Sequence, residues 1–265
     1  MNIIYEAWSK RRNIATLVFN DFSQNYVKSY MGFLWAIIVP LIQVAVLAVV
    51  FQMGFKISAA SETGIPFVAW LTCGMICWYF FADGLTGGAS AVTSYSFLVR
   101  KALFRISFLP FIRICGSFII HCCLMAFFLC ILIYYNIMPS PYWLQWLYYS
   151  VLLFLLLVGI TLITSSLSVF IPDVCNILGV VVNVGFWATP IFWRADMISE
   201  KWRWLLHINP VDYCVQGYRD SFLLKRWLWE RPLWEHGIFY LWVLCILVSG
   251  VIIFKKLRPH FADEL

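Results

Sequence analysis

The stretch GFLWAIIVPLIQVAVLAVVFQMGF, residues 32–55, decides the fold. Only Pro40, Gln43 and Gln52 interrupt its apolar run, and it carries no charge. At about 1.5 Å rise per residue, roughly 20 such residues carry a helix across a hydrocarbon core of ~30 Å. In lipid every backbone amide and carbonyl must be satisfied within the protein, and a helix does this on its own. Runs of the same kind extend from Pro66 to about Gly88, from Phe108 to Ile137, from Leu144 to Phe170, from Val174 to Trp193 and from Trp234 to Phe254. Pro139 and Pro141 punctuate a tight turn between the third and fourth. This pattern predicts an all-α polytopic membrane protein with six transmembrane helices and both chain ends on one side.

Composition agrees with the pattern. Of 265 residues, 63% are hydrophobic and 12% charged, against about 45–50% and about 25% in a water-soluble domain. An ordinary soluble enzyme is thereby excluded, and so is a disordered chain, which needs low hydrophobicity and high net charge. The net charge of +6 in so apolar a chain points to lipid headgroups, not nucleic acid. All but one of the nine cysteines fall in apolar stretches and read as small buried hydrophobes. The exception is Cys214, which reads as lying in a polar loop.

Orientation follows from Lys and Arg in the short flanks. Lys10, Arg11, Arg12, Lys28, Arg100, Lys101, Arg105, Arg113, Lys255, Lys256 and Arg258 collect on one side. The opposite short loops, 56–64 and 136–142, hold only Lys56. The basic side is therefore expected in the cytoplasm, with both termini. The long connection 194–233 is discounted because its seven Lys and Arg are nearly balanced by five Asp and Glu.

Two further segments carry a pattern. Residues 1–25 mix Ile3, Ile4, Trp8, Ile14, Leu17 and Val18 with Glu6, Lys10, Arg11, Arg12 and Asp21, which suits an amphipathic helix in the cytoplasmic headgroup layer. In the 194–233 connection, Ser199 is placed to cap a short helix through Leu206. Asn209 then stands at the N-cap of a second helix, with Pro210 at N1 and Asp212 at N3. Val211, Val215, Tyr218 and Phe222 form one stripe on it, and Asp212, Gln216, Arg219 and Asp220 are expected to face away. The pair reads as a re-entrant helical hairpin dipping into the outer leaflet, where a gate belongs.

Catalytic chemistry finds no foothold. No His-Glu-x-x-His or Cys-x-x-Cys occurs, the four histidines are scattered, and no nucleotide-binding Gly-x-x-x-x-Gly-Lys-Ser/Thr loop exists. No catalytic residue, metal site or cofactor is expected on this chain, and uphill work requires a gradient or another subunit. Asp83 and Arg113 fall at similar depth near the cytoplasmic ends of the second and third spans. An ion pair between them would lower a burial cost of about 2.5–3.5 kcal/mol for a lone charge, and this structural pairing is preferred to a proton relay.

Four segments in this order resemble the permease subunits of ABC-2 type exporters of the polysaccharide class, which move lipid-linked O-antigen, capsule or teichoic acid chains. They are YVKSYMGFLWAIIVP (26–40), LVRKALF (98–104) continuing to Leu109-Pro110, PDV (172–174) with ATPI (188–191), and Asn209-Pro210. The chain departs from the family pattern at Arg105, where Pro is usual, and at Pro172, where Arg is usual. The resemblance covers nearly the whole chain as a single transmembrane domain, 1–265. It implies a homodimer in a bacterial inner membrane, working with two copies of a separate ATPase subunit that binds ATP and Mg. It makes residues 94–107 the coupling helix, with Arg100, Lys101, Phe104 and Arg105 gripping that ATPase. It makes the leader helix a flank of the cytoplasmic entrance. It makes the 194–233 hairpin, with Pro190, Asn209 and Pro210, an outward gate. The implied cargo is a lipid-linked polysaccharide, O-antigen foremost.

Aromatic residues, 19% of the chain, bear on that cargo. Trp143, Trp146, Tyr148, Tyr149, Trp227, Trp229 and Trp234 sit where a headgroup belt is expected. Trp35, Trp78, Tyr79, Phe186, Trp187 and Trp193 lie within spans, where pore lining and lipid-facing packing both fit. Aromatic faces suit the C–H sides of sugar rings and hold a sliding polymer loosely. The alternative cargo is a small amphiphile such as a drug or lipid. A six-span enzyme acting on lipid-linked sugars would need acids or histidines gathered at one depth, which the sequence lacks.

Overall fold

The computed structural model describes Thr16, Val18 and residues 32–54, 64–96 and 106–265. The expected interfacial helix over 1–25 falls outside these residues apart from Thr16 and Val18. So do Arg100, Lys101, Phe104 and Arg105 of the expected coupling helix.

Every regular element among the described residues is helical. The long ones are α1, Phe33–Val49, continuing into a π-turn at Val50–Gly54; α2, Phe67–Ala89; α3, Phe108–Tyr134; and α4, Gln145–Phe170. After them come α5, Asp173–Ala188; the short pair α6, Glu200–Ile208, and α7, Pro210–Arg219; and α8, Leu233–Leu257. Among the described residues, five stretches are long and apolar enough to cross a membrane: Leu34–Gly54, Phe67–Ala89, Phe108–Tyr134, Pro141–Phe170 and Leu233–His260. The chain is a multi-pass membrane protein.

The fifth apolar run departs from expectation. Read as one span from Val174 to Trp193, it is helical only over Asp173–Ala188, 16 residues, or about 24 Å of helix. Pro190 is the cause. Its ring disfavours helical geometry in the preceding residue, and Thr189 is extended at φ −86°, ψ 136°.

Packing is uneven. α2 is the hub, buried against α3, α4 and α7 along most of its length. α4 and α8 cross closely at two glycines: a Cβ on Gly250 would lie 2.6 Å from the Gly159 carbonyl oxygen. Small residues let transmembrane backbones approach so that van der Waals contact and polar contacts hold them together. α1 and α5 contribute little: Val44 and Ala48 on the first and Leu178 on the second are their buried residues among those described. Broad apolar faces of both are open, including Trp35, Ile42 and Val46 on α1 and Val180, Val184 and Trp187 on α5.

The short pair α6–α7 also differs from the expected hairpin in the leaflet. α7 is inserted into the bundle, touching α2, α4 and α8. Gly217 makes room for the ring of Tyr149, since a Cβ there would meet Tyr149 Cε1 at 2.3 Å. Tyr149 is therefore a buried core residue and not part of a headgroup belt. The stripe Val211, Val215, Tyr218 and Phe222 is buried as expected, but so are Asp212, Arg219 and Asp220, which had been expected to face away. Cys214 is buried on the same helix and not in a loop. A helical wheel sorts faces correctly but does not say how many of them are covered.

Candidate functional site

α1, α2 and α5 enclose a cavity of about 580 Å³. Trp78 and Tyr79 come from α2, Phe186 and Trp187 from α5, and Gln43 and Asn183 add amides to an otherwise apolar lining. Four of the six aromatic positions singled out in the sequence thus meet in one groove. Trp78 is buried beneath it and Trp187 is exposed at 57%. Their rings form a continuous track. Trp78 and Phe186 stand 6.0 Å apart, Phe186 and Trp187 5.7 Å, and Trp187 and Phe192 4.9 Å. Phe51 carries the track to α1, 5.1 Å from Phe192. Trp193 does not line the cavity. Its indole N–H donates to the Trp187 carbonyl at 3.1 Å and steadies the track from behind.

Trp35 lies elsewhere. It borders a second cavity, about 340 Å³, between α1, α2 and α3, together with Tyr79, Asp83 and His121. Tyr79 stands between the two spaces and donates its hydroxyl to Gln43 Oε1 at 2.5 Å. Gln43 is the polar residue in the groove that the aromatic count overlooked. Its signal was plain, as an amide within a run of apolar residues. Asp83 Oδ2 is buried with no hydrogen-bond partner among the described residues. The Arg113 guanidinium packs against Gly87, one turn further along α2, where a Cβ would meet Nε at 2.4 Å. No ion pair within 4 Å joins Asp83 to Arg113 among the described residues.

The break after α5 is tied to the α6–α7 corner by side chains. Asn209 caps α7 by accepting from the Val211 amide at 3.0 Å, and its Nδ2 donates to Thr189 Oγ1 at 2.9 Å. Pro210 occupies the first helical position, where a missing amide costs nothing. Asp212 does not cap the helix. Its Oδ1 accepts from Gln216 Nε2 at 3.0 Å. Ser199 stands at the start of α6 without a side-chain capping bond.

The decisive tie is Arg219, fully buried on α7. Its Nη1 donates to the Pro190 carbonyl at 2.7 Å and its Nη2 to the Ile191 carbonyl at 2.6 Å. Its guanidinium lies 3.9 Å from the centre of the Trp70 ring. Two carbonyls freed by the proline break thus receive charged donors, the arrangement a broken helix at membrane depth requires. The next residue, Asp220, forms a nearly buried pair with Arg231 at 2.6 Å.

Among the described residues no group of His, Cys, Asp and Glu is gathered to hold a metal ion. What the geometry offers is an apolar, aromatic cavity with two amides, followed in sequence by a hydrogen-bonded corner. Known proteins place that geometry. The description "ABC-2 type transporter" matches residues 12–223. The chain belongs to the ABC-2 type transporter family. As a member of it, the protein is a transporter membrane subunit rather than an enzyme. It is similar to two proteins of Klebsiella pneumoniae described as O-antigen export system permease protein RfbA, each 24% identical, with 92% of both chains covered. A protein of the same description from Myxococcus xanthus is 23% identical over the full length of both chains.

Proposed function

We propose that this ABC-2 type subunit is the permease of an ATP-driven exporter for a lipid-linked polysaccharide, with O-antigen as the cargo class. The observation that carries the reading is the aromatic groove of α1, α2 and α5. It offers flat faces for sugar C–H surfaces and few directional partners to arrest a moving chain. The Klebsiella and Myxococcus relatives, described as O-antigen export permeases, support the cargo class.

In this reading the chain crosses a bacterial inner membrane six times, with α5 and the bent segment 189–193 that follows it serving as the fifth crossing. The basic flanks hold both termini in the cytoplasm. Residues 1–25 lie in the headgroup layer as an interfacial helix. The open apolar faces of α1 and α5 meet a second copy, so that two grooves face each other across a shared channel. ATP and Mg act on a separate ATPase subunit, two copies per assembly, which docks on residues 94–107. Closure of the ATPase pair shifts α1 and α5, the polymer advances over the aromatics, and the α6–α7 corner limits leakage of ions.

Cargo length is the test. Trp187→Ala strips the most exposed face of the track. Cells relying on that variant should display surface polysaccharide of reduced amount and shortened chain length, read on gels of extracted glycolipid. If long-chain export is unchanged while transport of a small amphiphile falls, the alternative cargo is correct.

A further inference from the structure

A third cavity, about 350 Å³, lies between α6, α7 and α8, away from the aromatic groove. Along α8 its lining runs from Glu235 to Trp242, a distance of about 10 Å. One end is charged, with Asp212, Arg226, Glu230 and Glu235, and the other is apolar, with Phe239 and Trp242. It is a slot with a wet mouth and a greasy floor on a membrane-crossing helix.

Its charges divide into committed and free. Arg231 is taken by Asp220 and Asp196 by Arg194, each pair at 2.6 Å. Arg226, Glu230 and Glu235 form no side-chain hydrogen bond or ion pair within 4 Å among the described residues. Asp212 is only 5% exposed. Its Oδ1 is held by Gln216, and no hydrogen bond reaches Oδ2 among the described residues, although Arg219, Arg231 and His207 act on the carboxylate from further away. A nearly buried carboxylate oxygen left open on a cavity is costly unless a donor reaches it. Trp242, at 38% exposure, and Leu241, at 61%, continue the floor onto the outer surface of α8.

We propose that this slot binds the headgroup of a phospholipid bearing a primary ammonium beside its phosphate. The phosphate rests on Arg226, the ammonium among Asp212, Glu230 and Glu235, and the acyl chains leave over Trp242 along α8. A purely anionic headgroup would meet three carboxylates, with Arg226 left to receive it while Arg203 and Arg231 are engaged by Glu200 and Asp220. A quaternary ammonium would bring charge but no N–H for Asp212 Oδ2. A neutral glycan would stack on Phe239 and Trp242 but brings no cation to the carboxylates. The inference goes beyond the export function and needs neither cargo nor ATPase, so either can fail without the other.

The full chain is reconstituted in nanodiscs of equal parts phosphatidylethanolamine, phosphatidylglycerol and phosphatidylcholine. It is then extracted in mild detergent, and the lipid retained is counted by mass spectrometry. About one phosphatidylethanolamine per chain should remain, enriched about tenfold over the other two, as charge-assisted hydrogen bonds allow. Glu235→Gln and Arg226→Gln should each lower the enrichment about tenfold at an unchanged melting temperature. The exposed Glu230→Gln serves as a further variant should either of these fail to fold. Equal retention of all three lipids, or variants that retain as much as the parent, overturns the proposal. Displacement of the lipid by a soluble neutral oligosaccharide would assign the slot to a glycan instead.

Discussion

Replacing Arg219 with Met cuts the tie between α7 and the end of α5. Two carbonyls, Pro190 and Ile191, lose donors now at 2.7 and 2.6 Å, at about 1–3 kcal/mol for each acceptor left unsatisfied. The stacking on Trp70, with the cation 3.9 Å from the ring centre, contributes about 0.5–2 kcal/mol more. Against this, Met removes a buried charge whose desolvation costs several kcal/mol, and a guanidinium Nε that has no partner. These opposing terms leave a local loss of about 3 kcal/mol, which raises the opened population of the segment about a hundredfold. Hydrogen exchange on the full chain reads that population at the amides of Thr189, Ile191, Phe192 and Trp193. Exchange there should accelerate about a hundredfold in Arg219→Met. Arg219→Lys, with one compact donor that cannot reach both carbonyls, should fall between. Peptides from the middle of α2 should not change. Unaltered exchange at residues 189–193, or equal acceleration throughout the protein, refutes the assignment of Arg219 as the tie.

Other outcomes follow from the same geometry. Burial raises the pKa of Asp212 above the ordinary carboxylate value, outweighing the Gln216 hydrogen bond and nearby arginines that lower it. The folded state then takes up this proton before the unfolded state does. As pH falls from neutral through the raised value toward that of the unfolded chain, the group adds stability, and Asp212→Asn should abolish that gain in thermal unfolding followed against pH. Gly250→Ala drives a methyl into the Gly159 carbonyl and should cost about 1–3 kcal/mol, seen as a lower unfolding temperature in detergent. Charge reversal at Arg100 and Lys101 to Glu should abolish stimulation of the partner ATPase while leaving the permease folded, measured as ATP turnover of the assembled complex. Unchanged stimulation would place the coupling contact elsewhere.

Much of this architecture was legible in residue order because lipid enforces simple rules. The long apolar runs could be nothing but helices, and Asn209-Pro210 announced the corner of the short pair. The fifth run was read as unbroken because its composition hides Pro190, although the proline itself carries the signal that the helix stops at Ala188. The aromatic groove was half legible. Trp78, Tyr79, Phe186 and Trp187 meet because α2 and α5 present those faces to one another. Trp35 points elsewhere because eight residues of helix separate it from Gln43, a rotation of about 80°. Arg219 was misjudged for a different reason. An arginine on the polar side of an amphipathic helix reads as solvated, and only the insertion of α7 between α2, α4 and α8 shows that no solvent is there.

The lopsided packing has a mechanical consequence. Helices α2, α3, α4, α7 and α8 interlock, with glycine crossings and a buried cation for rivets, whereas α1 and α5 rest on them with little interior of their own. A shell with one stiff wall and two compliant staves widens by letting the staves slide through fluid hydrocarbon, and little of the interior is disturbed. In the proposed reading, the bore then follows the girth of whatever is passing, so that one protein accommodates bare and branched sugar units without a separate conformation for each.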